Sequence, residues 1–295
     1  MATFSVNTNL ASLKAQNEMG MTQVNMNRTL ERLSTGLRIN SASDDAAGLA
    51  IAENLRADVT ALNQGIRNAN EGINVINIVD SALGEVGNLL NRAVTLAEQA
   101  ASSTSGEDSS TSKEALNDEY NEILSEIDRI SETIEFNGQS LLGTATDGSA
   151  GATMDIQVGL GSGSNDRLSI TTQGLSATST NTALGSGALG LGDTNDARLL
   201  AASNAQAELV EIQDAISSIN DMRGDLGAKF NRLEHTIEVL NVQSESLTAS
   251  ESSIRDADMA QEVVNMTKFQ VLNQAGLASL SQANATSQSV LSLLG

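Results

Sequence analysis

From Leu55 onward the apolar residues return at alternating intervals of four and three: Val59, Leu62, Ile66, Ala69, Ile73 and Ile76. The series resumes as Val79, Leu83, Val86, Leu90, Ala93, Ala97 and Ala100. A strand alternates every two residues and cannot sustain this rhythm, so the segment is expected to be one long amphipathic helix with its seam against another helix. A three follows a three between Ile76 and Val79, a stammer expected to overwind the coil locally. A second run passes through Leu116, Tyr120, Ile123, Ile127, Ile130 and Ile134. A third runs from Ala205 through Leu209, Ile212, Ile216, Ile219, Leu226, Phe230, Leu233, Ile237, Leu240 and Leu247 to Ile254, with Arg223, Ser244 and Glu251 in seam register. Two of these helices approach 50 residues, about 70 Å at helical rise. The fold class is therefore mainly α, an elongated antiparallel helical bundle or coiled coil built from the N- and C-terminal segments.

The middle of the chain changes character. Residues 143–196 are dominated by Gly, Ser, Thr and Ala, and are too poor in bulky side chains to form a sizeable domain. Met154, Ile156 and Val158 alternate with polar residues, as do Leu168 and Ile170, and GLGSGSND between them reads as the loop of a small β-hairpin. The rest of this stretch reads as a flexible link that lets the chain turn back, so that its last helix lies along its first.

The two ends then come together, and they are unusual. Residues 1–43 carry a formal charge of +2 and residues 259–295 carry none, so residues 44–258 bear −23 of the chain's total of −21. A strongly acidic middle disfavours nucleic acid and anionic membranes as partners, while near-neutral ends approach one another without repulsion. The N-terminal segment carries a stripe at Met26, Leu30, Leu33 and Leu37, preceded by Val6, Leu10 and Leu13. The C-terminal segment carries Val263, Met266, Val271, Leu277 and Leu280, then Val290, Leu291, Leu293 and Leu294 within the last six positions. Two thin helices cannot cover that much apolar surface between themselves. Neither polar face is rich in Lys or Arg, so an interfacial membrane helix is disfavoured, and no apolar run is long enough to span a bilayer. Copies packing on copies in a helical filament and completion of an intramolecular bundle both remain open on these residues alone.

Little else in the sequence suggests chemistry. The chain has no Cys, and its single histidine, His235, lies off the seam, where a surface role outweighs a ligand or a base. GLGSGS at 159–164 lacks the GK[ST] ending of a phosphate loop. No catalytic, cofactor or metal constellation is expected. Ser41 followed three residues later by Asp44 fits a capping box, with Asp44 and Asp45 placing negative charge at the start of the helix that continues through Leu55. The opening MATFSVNTNLASLKAQNEMG lacks a basic n-region and a continuous apolar run, so a cleaved secretory signal is not expected.

Five stretches together resemble the bacterial flagellins: GLRINSASDDAAGLAI at 36–51, FNGQSLL at 136–142, IRDADMAQE at 254–262, QAGLASLSQAN at 274–284 and VLSLL at 290–294. The chain departs from the family pattern at Ser43, where Lys is frequent, and at ATSQ (285–288), where Pro is common. The resemblance implies an inner filament-core domain from residues 1–43 and 255–295, an outer helical domain from 44–142 and 197–254, and a short variable region at 143–196. It implies a secreted structural subunit of the bacterial flagellar filament that serves swimming, exported by the flagellar type III apparatus. Its implied partners are further copies of itself, the filament cap and hook-junction proteins, and an export chaperone on the C-terminal segment. It also implies recognition by an innate Toll-like receptor: LNRAVTLAEQAA, residues 90–101, is similar to the recognised motif, which would make Arg92, Leu96 and Glu119 contacts. A hook–filament junction protein of the same wider family and an intracellular coiled-coil scaffold are the alternative readings. The Ser and Thr residues of 144–190 are candidates for O-glycosylation.

Overall fold

A computed structural model describes residues 9–102, 110–143, 152–175, 189, 191 and 199–294, with residue 110 and residues 287–294 as backbone only. The helices are Leu10–Thr35 (α1), Ala46–Ala101 (α2), Ser110–Thr133 (α3), Ala202–Arg255 (α4) and Met259–Leu294 (α5). Short strands Glu135–Phe136 (β1), Gln139–Ser140 (β2), Thr153–Gln157 (β3) and Arg167–Thr171 (β4) separate α3 from α4. The described residues fall into two compact units, one from the chain up to Val59 and from Glu245 onward, the other from Thr60 to Ser244.

In the second unit the bulk of α2 and α4 packs with α3. Asp80 pairs with Arg223 (2.8 Å), Arg92 with Glu119 (2.6 Å), and Tyr120 donates to Glu208, which joins α2 to α4, α2 to α3 and α3 to α4. Leu62, Val79, Leu83, Val86 and Leu90 of α2, Tyr120, Leu124 and Ile127 of α3, and Ala205, Ile212, Ile219, Leu226, Leu233 and Leu240 of α4 are buried. Burial of each large aliphatic side chain is worth about 1.5–3 kcal/mol before ordering entropy is subtracted.

The α2 seam corrects the expected stammer. The buried positions run Leu62, Gly65, Ala69, Gly72, Ile76, Val79, Leu83, Val86 and Leu90, an unbroken alternation of three and four, and Ile66 and Ile73 are only half-buried. Two glycines occupy the seam because another part of the chain lies there. A Cβ on Gly65 would stand 2.7 Å from the carbonyl oxygen of Val158, and one on Gly72 would run into Ile156 and come within 3.3 Å of Leu233. The α4 seam is also displaced by one residue in places. Glu208 and Ala215 are buried where Leu209 and Ile216 were expected, and Arg223 is exposed and paired with Asp80 rather than set in the seam.

What lies over the glycines is the expected hairpin. β3 and β4 pair antiparallel with Met154 opposite Ile170 and Ile156 opposite Leu168, and Ile156, Leu168 and Ile170 are buried. Asn68 of α2 donates to the carbonyl of Gln157 (2.9 Å) and Lys229 of α4 to that of Thr171 (2.9 Å). In the connecting loop Gln157 donates to the carbonyls of Gly159 (2.9 Å) and Gly161 (2.7 Å), which closes the glycine-rich turn. A second, two-residue hairpin, β1–β2, turns at Asn137 (φ 52°) and Gly138 (φ 78°), where both central residues must take positive φ. Leu175, Leu189 and Leu191 are buried as well, so the stretch read as a flexible link contributes core residues of its own. The remaining residues of 144–198, and with them most glycosylation candidates, lie outside the described residues.

The first unit joins the ends of the chain. Gly36 closes α1 in the left-handed conformation (φ 74°), its N–H donating to Arg32. The two connectors then pair: Arg38 N–H donates to the Arg255 carbonyl (2.6 Å) and Ala257 N–H to that of Gly36 (2.9 Å). Arg255 holds the junction with Nη1 3.0 Å from Glu53 and Nε 3.3 Å from the Ile39 carbonyl, while Ile39 itself is buried.

Placing Ala at Gly65 should force the hairpin off α2 and cost about 1–3 kcal/mol, more than the helix propensity gained. At Gly227, where a new Cβ meets nothing within 4 Å, the same change should stabilise by about 0.5–1 kcal/mol. Denaturant unfolding of Gly65→Ala and Gly227→Ala measures both signs.

Candidate assembly surface

α1 and α5 lie antiparallel. Asn9 Nδ2 donates to the Ala283 carbonyl (3.1 Å), Asn273 Nδ2 to Gln23 (3.0 Å), and Arg32 Nη1 stands 3.4 Å from Glu262. The side chains turned inward along α1 are Ser12, Ala15, Met19, Thr22, Met26, Thr29 and Leu33, a regular alternation of three and four. Opposite them on α5 stand Glu262, Met266, Phe269, Asn273, Gly276, Leu280 and Ala283. Small and polar groups make up most of this seam. Among the described residues, the one fully buried position of α1 is Thr29 and that of α5 is Glu262, and both are polar. The second carboxylate oxygen of Glu262 is buried without a hydrogen-bond partner, which costs about 1–3 kcal/mol and weakens the pair.

Large apolar residues face the other way. Leu10 and Leu13 lie two positions before seam residues and Met21 and Val24 two positions after them, in each case a rotation of about 200° around the helix. Leu10 is 75% exposed and Leu277 53% exposed, and Leu13, Leu30, Val263 and Val271 are also exposed. Met26, Leu33, Leu37, Met266 and Leu280 are half-buried, shared between the inner seam and the flanks. Met21, Val24, Val264 and Leu272 belong to the same outward surface, and Met259 is exposed at the start of α5, although the sequence reading did not single them out. Val263, Val264, Thr267, Lys268, Val271 and Leu272 line one continuous shallow groove on α5. The side chains of Val290, Leu291, Leu293 and Leu294 lie outside the described residues.

The remaining expected sites divide. Asp44 accepts from the N–H of Ser41 (3.1 Å) and of Asn40 (3.3 Å), so half of the expected box forms, but the chain makes only one turn there. α2 begins two residues later, and its cap is Asp45, whose Oδ1 accepts from Ala47 (3.1 Å) and Gly48 (2.9 Å). Asp258 caps α5 in the same manner through Ala260 and Gln261. Arg92 and Glu119 are exposed and paired with one another, whereas Leu96, at 1% exposure, belongs to the bundle core and is closed to any partner of the folded unit. His235 is exposed, 3.9 Å from Glu238. Among the described residues no three His, Cys, Asp or Glu side chains gather as metal ligands, and no helix is long and apolar enough to cross a membrane.

A helix pair whose buried seam positions are polar and whose flanks expose large apolar side chains has the character of a subunit completed by other chains, in the class of helical self-assembling proteins. Residues 6–147 match the bacterial flagellin N-terminal helical region and residues 209–294 the bacterial flagellin C-terminal helical region. The chain is 42% identical over 289 residues to a flagellin of Halalkalibacterium halodurans, covering 98% of this chain and 99% of that one. It is 37% identical over 297 residues to the flagellar filament 33 kDa core protein of Treponema phagedenis, with the same coverage of 98% and 99%. A solved structure of a Vibrio parahaemolyticus protein described as flagellar-hook-associated shares the fold at a TM-score of 0.57, with 15% identity, 72% of this chain and 100% of that one. The chain belongs to the bacterial flagellin family. It is a structural subunit of the extracellular flagellar filament that drives swimming.

The hydrogen bond from Ser41 N–H holds the Asp44 carboxyl below its usual range. A lowered carboxylate pKa contributes stability that is complete above the ordinary value and is lost as pH falls through the lowered one. The Ser41 and Asn40 amide resonances should therefore shift together in an acid titration followed by NMR, with a midpoint below that of an unstructured Asp, and Asp44→Asn should abolish the shared transition.

Proposed function

We propose that the outward faces of α1 and α5 are the polymerisation surface. The reading rests on one observation, that this helix pair buries polar residues at its own seam while Leu10, Leu13, Leu30, Val263, Val271 and Leu277 stay exposed. Residues 1–43 and 255–295 then form the inner filament core, 44–142 and 197–254 the outer helical domain, and 143–196 a short variable region. The apolar set Val290, Leu291, Leu293 and Leu294 extends the same surface to the end of the chain. The role is structural and not catalytic.

Such a surface would aggregate if the chain folded inside the cell. Passage through the flagellar type III apparatus in an unfolded state, with a chaperone on the C-terminal segment, keeps it covered until a cap protein at the tip seats the subunit. The first copies would seat on a hook-junction protein with equivalent terminal helices. On the folded outer helices, the exposed Arg92–Glu119 pair is the proposed contact for an innate Toll-like receptor, with Leu96 serving the core instead.

Two measurements test these assignments. Val271→Asp and Leu277→Asp each place a charge in a surface that assembly must dry, and each should raise the critical concentration for seeded growth more than a hundredfold, about 3 kcal/mol. Electron microscopy and sedimentation read the result, and growth equal to the unaltered chain would refute the surface. In a receptor reporter assay, Arg92→Ala with Glu119→Ala should lower potency about tenfold, and an undiminished response would remove that contact.

A further inference from the structure

Sulfur is distributed unevenly in this chain. There is no cysteine, and of the eight methionines five (Met19, Met21, Met26, Met259 and Met266) lie on α1 and α5. With no thiol to compete, thioethers are the only sulfur groups a two-electron oxidant can attack. Their surroundings differ. Met19 packs against Gly276, whose Cβ would lie 3.2 Å from Met19 Cγ, and Met26 and Met266 are half-buried beside the same seam. Met21 stands on the outward surface, 57% exposed, and Met259, at the first position of α5, is 45% exposed.

We propose that Met21 and Met259 are an oxidation site that gates filament growth: peroxide converts their thioethers to sulfoxides in the unassembled subunit, and the sulfoxides block packing against the next copy. The inference rests on the reading of α1 and α5 as the polymerisation surface. The sulfur lone pair attacks the distal oxygen of the peroxide, the O–O bond breaks, one oxygen is transferred to sulfur, and water leaves. Sulfur is oxidised by two electrons and the peroxide reduced by two. The product is a strongly polar S=O group where an apolar, adaptable side chain stood, and drying it against an apolar neighbour leaves its oxygen unpaired. In the assembled filament both sulfurs are covered, so existing filaments resist the oxidant while free subunits do not. Reduction by a methionine sulfoxide reductase returns the thioether and reverses the block.

The experiment exposes full-length monomer and preassembled filaments to the same dose of hydrogen peroxide, maps sulfoxides by peptide mass spectrometry, and measures seeded growth. In monomer, Met21 and Met259 should oxidise before the seam methionines, and critical concentration should rise about tenfold. In filaments both should be protected. Sulfoxide reductase should restore growth, the Met21→Leu, Met259→Leu chain should grow after peroxide at whatever rate it shows before it, and Met21→Gln should reproduce the defect without oxidant. Unchanged growth of oxidised wild type, an equal loss in the double-Leu chain, or equal oxidation of both sulfurs in filament and monomer would each overturn the proposal. Failure of the surface itself reads separately, as normal growth of untreated Leu277→Asp.

Discussion

The surface of α1 and α5 follows from what the two helices fail to bury against one another. Between Met19, Met26, Leu33, Met266, Phe269 and Leu280, all only half-buried, their common seam holds Ser12, Ala15, Thr22, Thr29, Asn273, Gly276 and Ala283, with Glu262 at one end. Side chains of this size bring helices close but remove little apolar area from water, and burial of apolar area is the main favourable term in folding. Large apolar residues at those positions as well would have made a stable two-helix hairpin and left less for a neighbour. The pair instead leaves its apolar area available for assembly. A buried, half-satisfied carboxylate at Glu262 tilts the balance further against the isolated pair.

The Thr60–Ser244 unit solves the opposite problem. Its three helices bury large side chains from every partner, and its polar links, Tyr120 to Glu208 and Arg223 to Asp80, fix which helix faces which. Two seam positions are given up to glycine so that a strand pair can lie against α2. Glycine in mid-helix costs about 1 kcal/mol relative to alanine. The carbonyl of Val158 and the side chain of Ile156 fill the space a Cβ would have taken. Asn68 and Lys229 then hold the hairpin by hydrogen bonds to carbonyls that a two-stranded sheet leaves free.

Much of this was legible in the residues. The number of long helices, the β3–β4 hairpin and the concentration of apolar residues in uncharged ends follow from spacing and composition. The caps were less so. Ser41 and Asp44 match a capping pattern, yet the adjacent Asp45 does the capping, because local spacing cannot say at which of two neighbouring carboxylates the backbone turns helical. Leu96 shows the same limit from the other direction. A motif placed it on a receptor-facing surface, and packing put it in the core, since the turn of about 40° that separates it from Arg92 is enough to pass from an exposed position to a buried one. The Asn137–Gly138 turn has a readable local signal, an Asn-Gly pair whose two residues both take positive φ, just beyond the end of the α3 rhythm at Ile134.

The sequence by itself determined the periods: 3.5 along the helices, two along the hairpin, and the placement of charge in the middle rather than at the ends. Only the tertiary structure decided the phase. A stripe broad enough to include Ile66 beside Gly65, or Leu209 beside Glu208, leaves two adjacent candidates for each seam position. They differ by about 100° of rotation, and hydrophobicity favours the wrong one in both cases. The choice falls to what occupies the opposing space, the Val158 carbonyl in one case and the Tyr120 hydroxyl in the other. Those groups lie about 90 residues away along the chain, so no local window contains them.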